Sequence, residues 1–486
     1  MLMDIIHDKL KNTSGEIIFR DISREWSYGE FHQNIVHVAH ALGKIKEAGC
    51  ALVGVKCASQ YNHLVIIFAL DMLGVASVSL PEGFGSMFRS YVELTKPDLI
   101  LTDDSYEGDI PSVKFSGLSF PSTLHMETIA SDERSPDEIC RVSVAAGTDV
   151  TARKIYIDTT NFHQNIHRLI QSVNEMRSAD KYDVFCFLGI DLLSGFQIRL
   201  AAILSGGCLN FFNRSNIHYL FRRERPSVFI LSPLHLEILV SALPPLSRPD
   251  DTVEIIVIGG ALPPELEKKT RAGLSTRIHV IYGTEETGAV AVRSVRDGLA
   301  PESAGFIVPW MTVEAVDQDN KKIKEGNVAG LLRIQGDTLN KGYLEEYFSD
   351  RFVDGWFYPG DIGRIYNQKE LFIVSRADNL ISFGGDKFSV ARLDEVCKAY
   401  PGIQDGCIFA VPDASGVHMP YVAIICHEQI DISELSRKMH DIYENMPTLT
   451  VIWVDQIPLD DAGNPDRVLL TEMVLNERKQ RSARMH

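Results

Sequence analysis

The chain has 486 residues, too many for one compact core, and its 45% apolar and 23% charged content supplies ample material for buried sheets. Its 48 Lys plus Arg against 65 Asp plus Glu leave a net charge of -17, which repels nucleic-acid phosphate and anionic headgroups and removes nucleic acid and membrane from the expected partners. The eight cysteines are scattered through apolar segments without a CxxC, the start has no basic-then-apolar leader, and no run of about 18 apolar residues occurs, so a cytoplasmic location with reduced thiols is expected.

From Tyr28, apolar residues recur at three- and four-residue spacing (Phe31, Ile35, Val38, Ala39, Leu42), which predicts a helix. Residues 52–55 read as a short buried strand, 61–73 as a second amphipathic helix, and 76–80 and 98–102 as further strands. The alternation resumes with strands at 184–188, 208–212, 228–232, 253–258 and 278–282 and helices at 196–204 and 234–243. Strands rich in Val, Ile, Leu and Phe, bounded by Gly and Pro, are those of a parallel sheet buried on both faces, so 52 to about 292 reads as a large α/β region.

After Gly305 the segments turn short and Gly-punctuated (313–316, 330–336, Gly342 with Tyr343, 360–366, 371–374), which predicts antiparallel strands in a β-rich subdomain. Beyond about 375, helices at 391–399 and 432–443 and strands at 407–411, 421–426 and 450–454 predict a small α+β lid, with the tail from 476 as a frayed helix. The expected division is 1–377 for the large domain and 378–486 for the lid. The histidines form no HExxH and there is no GxSxG elbow, so metalloprotease and Ser-His-Asp chemistry find no support.

Three signals follow one another: 253–263 (VEIIVIGGALP), 282–288 (YGTEETG), and 354–363 (DGWFYPGDIG) continued by 371–381 (LFIVSRADNLI) and Gly384-Gly385. Together they resemble the adenylate-forming superfamily of acyl-CoA synthetases, peptide-synthetase adenylation domains and luciferases. Weaker echoes extend the likeness from Trp26-Ser27-Tyr28 to Arg467. The resemblance implies an acid-thiol ligase. It would use ATP and Mg²⁺ to turn a carboxylic or amino acid into an acyl-AMP, then pass the acyl group to CoA or a separate carrier protein.

The resemblance also implies roles residue by residue. A phosphate-binding loop falls at 145–154, where Gly147, Thr148 and Arg153 match the pattern and Asp149 departs from it; the same stretch also reads as a polar turn. Gly259, Gly260 and Ala261 would let adenine lie against the backbone, Tyr282 would stack on it with Gly283 beside it in the nucleotide site, and Thr284 would offer phosphate the hydroxyl that relatives carry one residue later. Glu286 would hold Mg²⁺ through its carboxylate, and Glu285 stands where relatives have Thr. Asp361 would accept both ribose hydroxyls, and Arg376 would reach the nucleotide. Asp378 matches the hinge about which the small domain turns, so that Gly384 and Gly385 line a thiol tunnel.

Asn464 occupies the position of the lysine that bridges carboxylate and α-phosphate in relatives. Asp191, before the glycines at 206–207, reads either as a partner for an amine-bearing substrate or as the N-cap of the following helix. The altered phosphate loop, Glu285 and Asn464 motivate a second reading, a non-catalytic nucleotide- or acyl-binding protein of the same fold.

Overall fold

The computed structural model describes residues 13–81, 86–115, 135, 137–145, 153–212, 220, 225–244, 247–317, 319–323, 328–342, 351–376, 380–426, 430–443, 445–459 and 465–484. Helix Tyr28–Glu47 starts at a capping box: Ser27 Oγ accepts from Glu30 N at 3.2 Å while the Glu30 carboxylate accepts from Ser27 N at 2.8 Å. Its buried face is the stripe Tyr28, Phe31, Ile35, Val38, Ala39 and Leu42, as the spacing requires.

Helix Gln60–Met72 is buried at every position from His63 to Met72 and shares one core with Tyr28–Glu47 and with the buried helix Leu193–Leu204. A helix with no polar face is stable only when covered all round.

Two sheets make the large body. The smaller runs in the order Ser112–Lys114, Leu99–Thr102, Leu52–Lys56, Ala76–Ser79, Ile139–Ala145 and Arg153–Asp158; all its pairs are parallel except the last. The larger has fifteen strands among the described residues, with a parallel centre of Gly207–Asn210, Tyr182–Cys186, Ser227–Leu231, Val253–Ile258 and Arg277–Thr284. This is the mixed α/β class the alternation predicts.

The parallel region ends earlier than expected. Arg277–Thr284 is joined by a tight turn to Gly288–Ser294, so the antiparallel part begins there rather than after Gly305, because so short a connection permits only a hairpin. It continues through Ser303–Ile307, Glu370–Arg376, Asp361–Tyr366 and Gly330–Gly336 within the same sheet. Gly342 lies outside any strand. Helix Thr159–Met176, which the sequence reading passed over, is capped by Asp158 and buries Phe162, Ile166 and Val173. The tail helix starts well before 476 and runs Arg467–Arg484.

From Leu380 a hairpin (Leu380–Phe383 with Asp386–Ser389) precedes a three-stranded sheet of Ile403–Pro412, His418–Cys426 and Thr450–Trp453, flanked by helices Val390–Lys398 and Ile432–His440. These elements have their own core of Phe383, Phe388, Leu393, Ile408, Val422 and Leu435. They rest on the large body where Leu234 N donates to Gly384 O at 3.1 Å and Lys269 Nζ donates to Ser415 Oγ.

Candidate active site

At the carboxyl ends of the parallel strands Val253–Ile258 and Arg277–Thr284 lies a cavity of about 220 Å³, in the place where open α/β sheets hold ligands. Its wall takes in Arg153, Gly259, Gly283, Thr284, Glu285, Glu286 and Gly385, residues that lie up to 232 positions apart in the chain (385 minus 153). The strand Val253–Ile258 breaks at Gly259, whose φ of 98° only glycine adopts freely, and the chain turns into helix Pro264–Gly273. A Cβ on Gly260 would come 3.1 Å from Gly385 Cα, and one on Gly385 would come 2.9 Å from Pro233 Cδ. Absent side chains are thus what allow the Gly384-Gly385 turn to approach Gly259-Gly260. Ala261 is exposed and stands off the cavity wall.

The segment 282–288 is held from below. Asn340 N donates to Glu286 O at 2.9 Å, Asn340 Nδ2 to Glu285 O at 3.1 Å, and Thr338 Oγ1 to Thr287 O at 2.7 Å. The Thr287 hydroxyl in turn accepts from Thr284 N at 3.1 Å. Glu286 is buried, with Arg153 Nη1 4.0 Å from its carboxylate. Arg153 sits at the start of strand Arg153–Asp158, not in a free loop, while Gly147 and Thr148 lie outside the described residues.

Tyr282 Oη donates to Asp361 Oδ2 at 2.6 Å, fixing a carboxylate that is only 3% exposed. Antiparallel register places Arg376 directly opposite Asp361; the Arg376 side chain, Asp378 and Asn464 lie outside the described residues. Arg467, at the head of the tail helix, donates to Ile408 O and pairs with Asp394, so it serves the small domain's interior.

Glu285 turns away from the Arg153–Glu286 end. Its carboxylate accepts from Ser194 Oγ at 2.6 Å and Ser194 N at 3.2 Å, at the start of helix Leu193–Leu204. The N-cap of that helix is Leu192, which has no side-chain hydrogen bond to give, so Glu285 supplies from a distant loop the acceptor the helix end lacks. Burial pushes the Glu285 carboxyl above its usual value, and the two Ser194 bonds pull it back. Asp191 therefore is not the N-cap, a correction to that half of its reading, and it stands beside the cavity without lining it. The reason is register: the helix begins two residues after Asp191, so its side chain is one position too early to cap.

Sequence reasoning missed several residues here. Arg199 lies inside the molecule, with Nη1 donating to Gly195 O at 2.8 Å and Nη2 to Leu188 O at 2.5 Å, and so ties down the segment that carries Leu188, Leu192 and Ser194. Arg141, equally buried, donates to Ser79 Oγ at 2.6 Å with its guanidinium 4.1 Å from the Phe196 ring centre; burial lowers it to about 10. Arg351 and Gln197 line the cavity itself, and a polar residue inside the apolar run 192–204 was the available signal for Gln197.

No described helix is long and apolar enough to cross a membrane, and no described group of three or more His, Cys, Asp or Glu could hold a metal unaided. One carboxylate suffices for Mg²⁺, which keeps water and takes further oxygens from phosphates, so buried Glu286 on the cavity wall fits that ion.

Residues 6–344 match the model of the AMP-binding enzyme family. The 4-coumarate-CoA ligase-like 1 of Arabidopsis thaliana is 25% identical over 309 residues, 62% of this chain and 53% of that protein. The luciferin 4-monooxygenase of Photinus pyralis is 26% identical over 239 residues, 46% of this chain and 42% of that protein. The chain thus matches about half the length of these relatives. Among solved structures, the amide bond synthetase McbA from Marinactinospora thermotolerans superposes with a TM-score of 0.80 at 18% identity, covering 96% of this chain and 99% of that one. ATP-bound MatB from Rhodopseudomonas palustris superposes with a TM-score of 0.67 at 18% identity, covering 97% of this chain and 98% of that one.

Proposed function

Since this chain belongs to the AMP-binding enzyme family of adenylate-forming ligases, we propose that it joins a carboxylic or amino acid to AMP at the expense of ATP and then passes the acyl group to the thiol of CoA or a carrier protein. The observation that carries this reading is the convergence of Arg153, Glu286 and the Gly259 turn on one cavity, with the Tyr282–Asp361 pair behind it.

In this reading adenine lies against Gly259-Gly260, and Asp361 accepts the ribose hydroxyls in place of, or beside, the Tyr282 hydroxyl. Glu286 holds Mg²⁺, which neutralises phosphate charge when bound, and Arg153 exchanges its long 4.0 Å pairing with Glu286 for phosphate oxygens. The acid's carboxylate oxygen attacks the α-phosphorus, and pyrophosphate leaves. The acid's body lies among Leu169, Leu188, Leu192, Leu193, Ile198 and Ile281, which keep water from the mixed anhydride. A thiolate then attacks the acyl carbon and AMP departs.

The division at 377/378 and the turning of the small domain about Asp378 belong to the same proposal. Its support is that strand Glu370–Arg376 ends the large sheet and hairpin Leu380–Phe383/Asp386–Ser389 opens the small domain on either side of that residue.

The test is ATP–pyrophosphate exchange across a panel of carboxylic and amino acids, followed by thioester formation with CoA and with a phosphopantetheinylated carrier. Exchange dependent on one class of acid is expected. ATP binding without exchange for any acid would identify a non-catalytic binding protein instead.

A further inference from the structure

Helix Leu193–Leu204 presents Leu193, Ser194, Gln197 and Ile198 to the cavity, one face at helical spacing. Ser194 is engaged by Glu285 through both its amide and its hydroxyl. Gln197 is not engaged: it is 3% exposed, and its Nε2 is shielded from solvent with no acceptor among the described residues. A buried amide donor left without an acceptor loses its hydration and gains nothing in return. Leu or Met would fill the same volume at no such cost; Leu169, Leu188, Leu192, Leu193, Ile198 and Ile281 make most of this part of the wall apolar, and its neighbouring polar residue Ser194 has both donors held by Glu285. The terminal torsion of a glutamine is broad and close to two-fold, so a half-turn brings the amide donor to the cavity face.

We propose that Gln197 is a specificity-determining residue that selects an acid whose apolar body carries an oxygen acceptor away from the carboxylate. The assignment deepens the adenylate-forming reading and rests on it. An ether, carbonyl or hydroxyl oxygen would complete the Gln197 amide, whereas a methylene in the same place would leave it buried and unpaired. A site of this kind rejects the analogue lacking the acceptor more strongly than an apolar pocket rejects a missing methylene.

The experiment uses the full chain and matched acids: 3-phenylpropanoic acids with a methoxy group at the ortho, meta or para position, each against its ethyl isostere. The readout is kcat/KM in ATP–pyrophosphate exchange. For at least one position the methoxy acid is expected to be preferred by at least ~10-fold, the discrimination of one good hydrogen bond. Gln197→Leu should collapse that ratio to about one by lowering the methoxy acid and raising the ethyl acid, a crossed effect that general loss of structure does not produce. A ratio near one for every pair in the wild type, or a ratio unchanged in Gln197→Leu, overturns the assignment while leaving the adenylation reading intact. If no acid supports exchange, the adenylation reading is what fails. Calorimetric binding of the same pairs then decides on Gln197: a methoxy preference lost in Gln197→Leu supports it, and equal or absent binding overturns it.

Discussion

Replacing Asp361 by Asn tests the proposed ribose contact beside the cavity with a change of charge and almost none of shape. Asp361 is 3% exposed and its Oδ2 accepts from Tyr282 Oη at 2.6 Å, so the carboxylate is oriented before any ligand arrives. Asn can keep the tyrosine bond through its carbonyl oxygen, but its amide nitrogen is a donor where a ribose hydroxyl needs an acceptor. A hydrogen bond to a charged group contributes about 1.5–3 kcal/mol, and losing one such bond weakens binding by about 10- to 150-fold. Titration calorimetry of ATP against Asp361→Asn should therefore show a dissociation constant raised at least tenfold, with the melting temperature near that of the wild type. Tyr282→Phe should weaken ATP less, since it removes only the group that orients the carboxylate. An unchanged dissociation constant in a folded Asp361→Asn variant would remove this residue from the ribose site and refute the reasoning.

Three further outcomes are expected. His63 is fully buried, with Nε2 2.7 Å from Ser79 Oγ, and burial beside Arg141 and Arg199 lowers it to about 3. The unfolded chain therefore binds a proton near pH 6.5 that the folded chain refuses down to about 3, so this residue's linkage is absent above 6.5 and costs stability as pH falls through that window. The slope is about 1.4 kcal/mol per pH unit, or about 2 kcal/mol by pH 5; urea midpoints of His63→Asn should lack it, and equal slopes in both proteins would refute the account. Glu285→Ala removes the acceptor at the start of Leu193–Leu204 and should cost about 1 kcal/mol in chemical denaturation, with no measurable loss counting against its capping role. Asn464→Lys should raise the first half-reaction by about 10²- to 10³-fold while transfer from supplied acyl-AMP changes little; flat exchange would mean that another cation, such as Arg351 on the cavity wall, already supplies that charge.

The sequence by itself determined the mixed α/β class, the family, and the order of most elements. These rest on local properties: the stripe on Tyr28–Glu47, the capping box at Ser27, and β-branched runs such as Val253–Ile258 bounded by glycines. Glycines at 259, 260, 384 and 385 were legible as special because a close backbone approach leaves its mark in composition, although what approaches them was not. Only the tertiary structure decided that the two glycine pairs face each other, and that the antiparallel strands extend the parallel sheet instead of forming a separate layer.

It also decided the partnerships of charged and polar groups, because hydrogen bonding acts over a few ångströms in space and leaves no periodic trace along the chain. Asp191, read from spacing as a substrate partner or a cap, falls one residue short of the N-cap position, and the acceptor comes from Glu285, 91 positions from Ser194. Arg199 and Gln197 were passed over in the sequence as part of a helix. The fold buried that helix on all sides, and burial is what turned one into a clamp on the loop before it and left the other without a partner on the cavity wall.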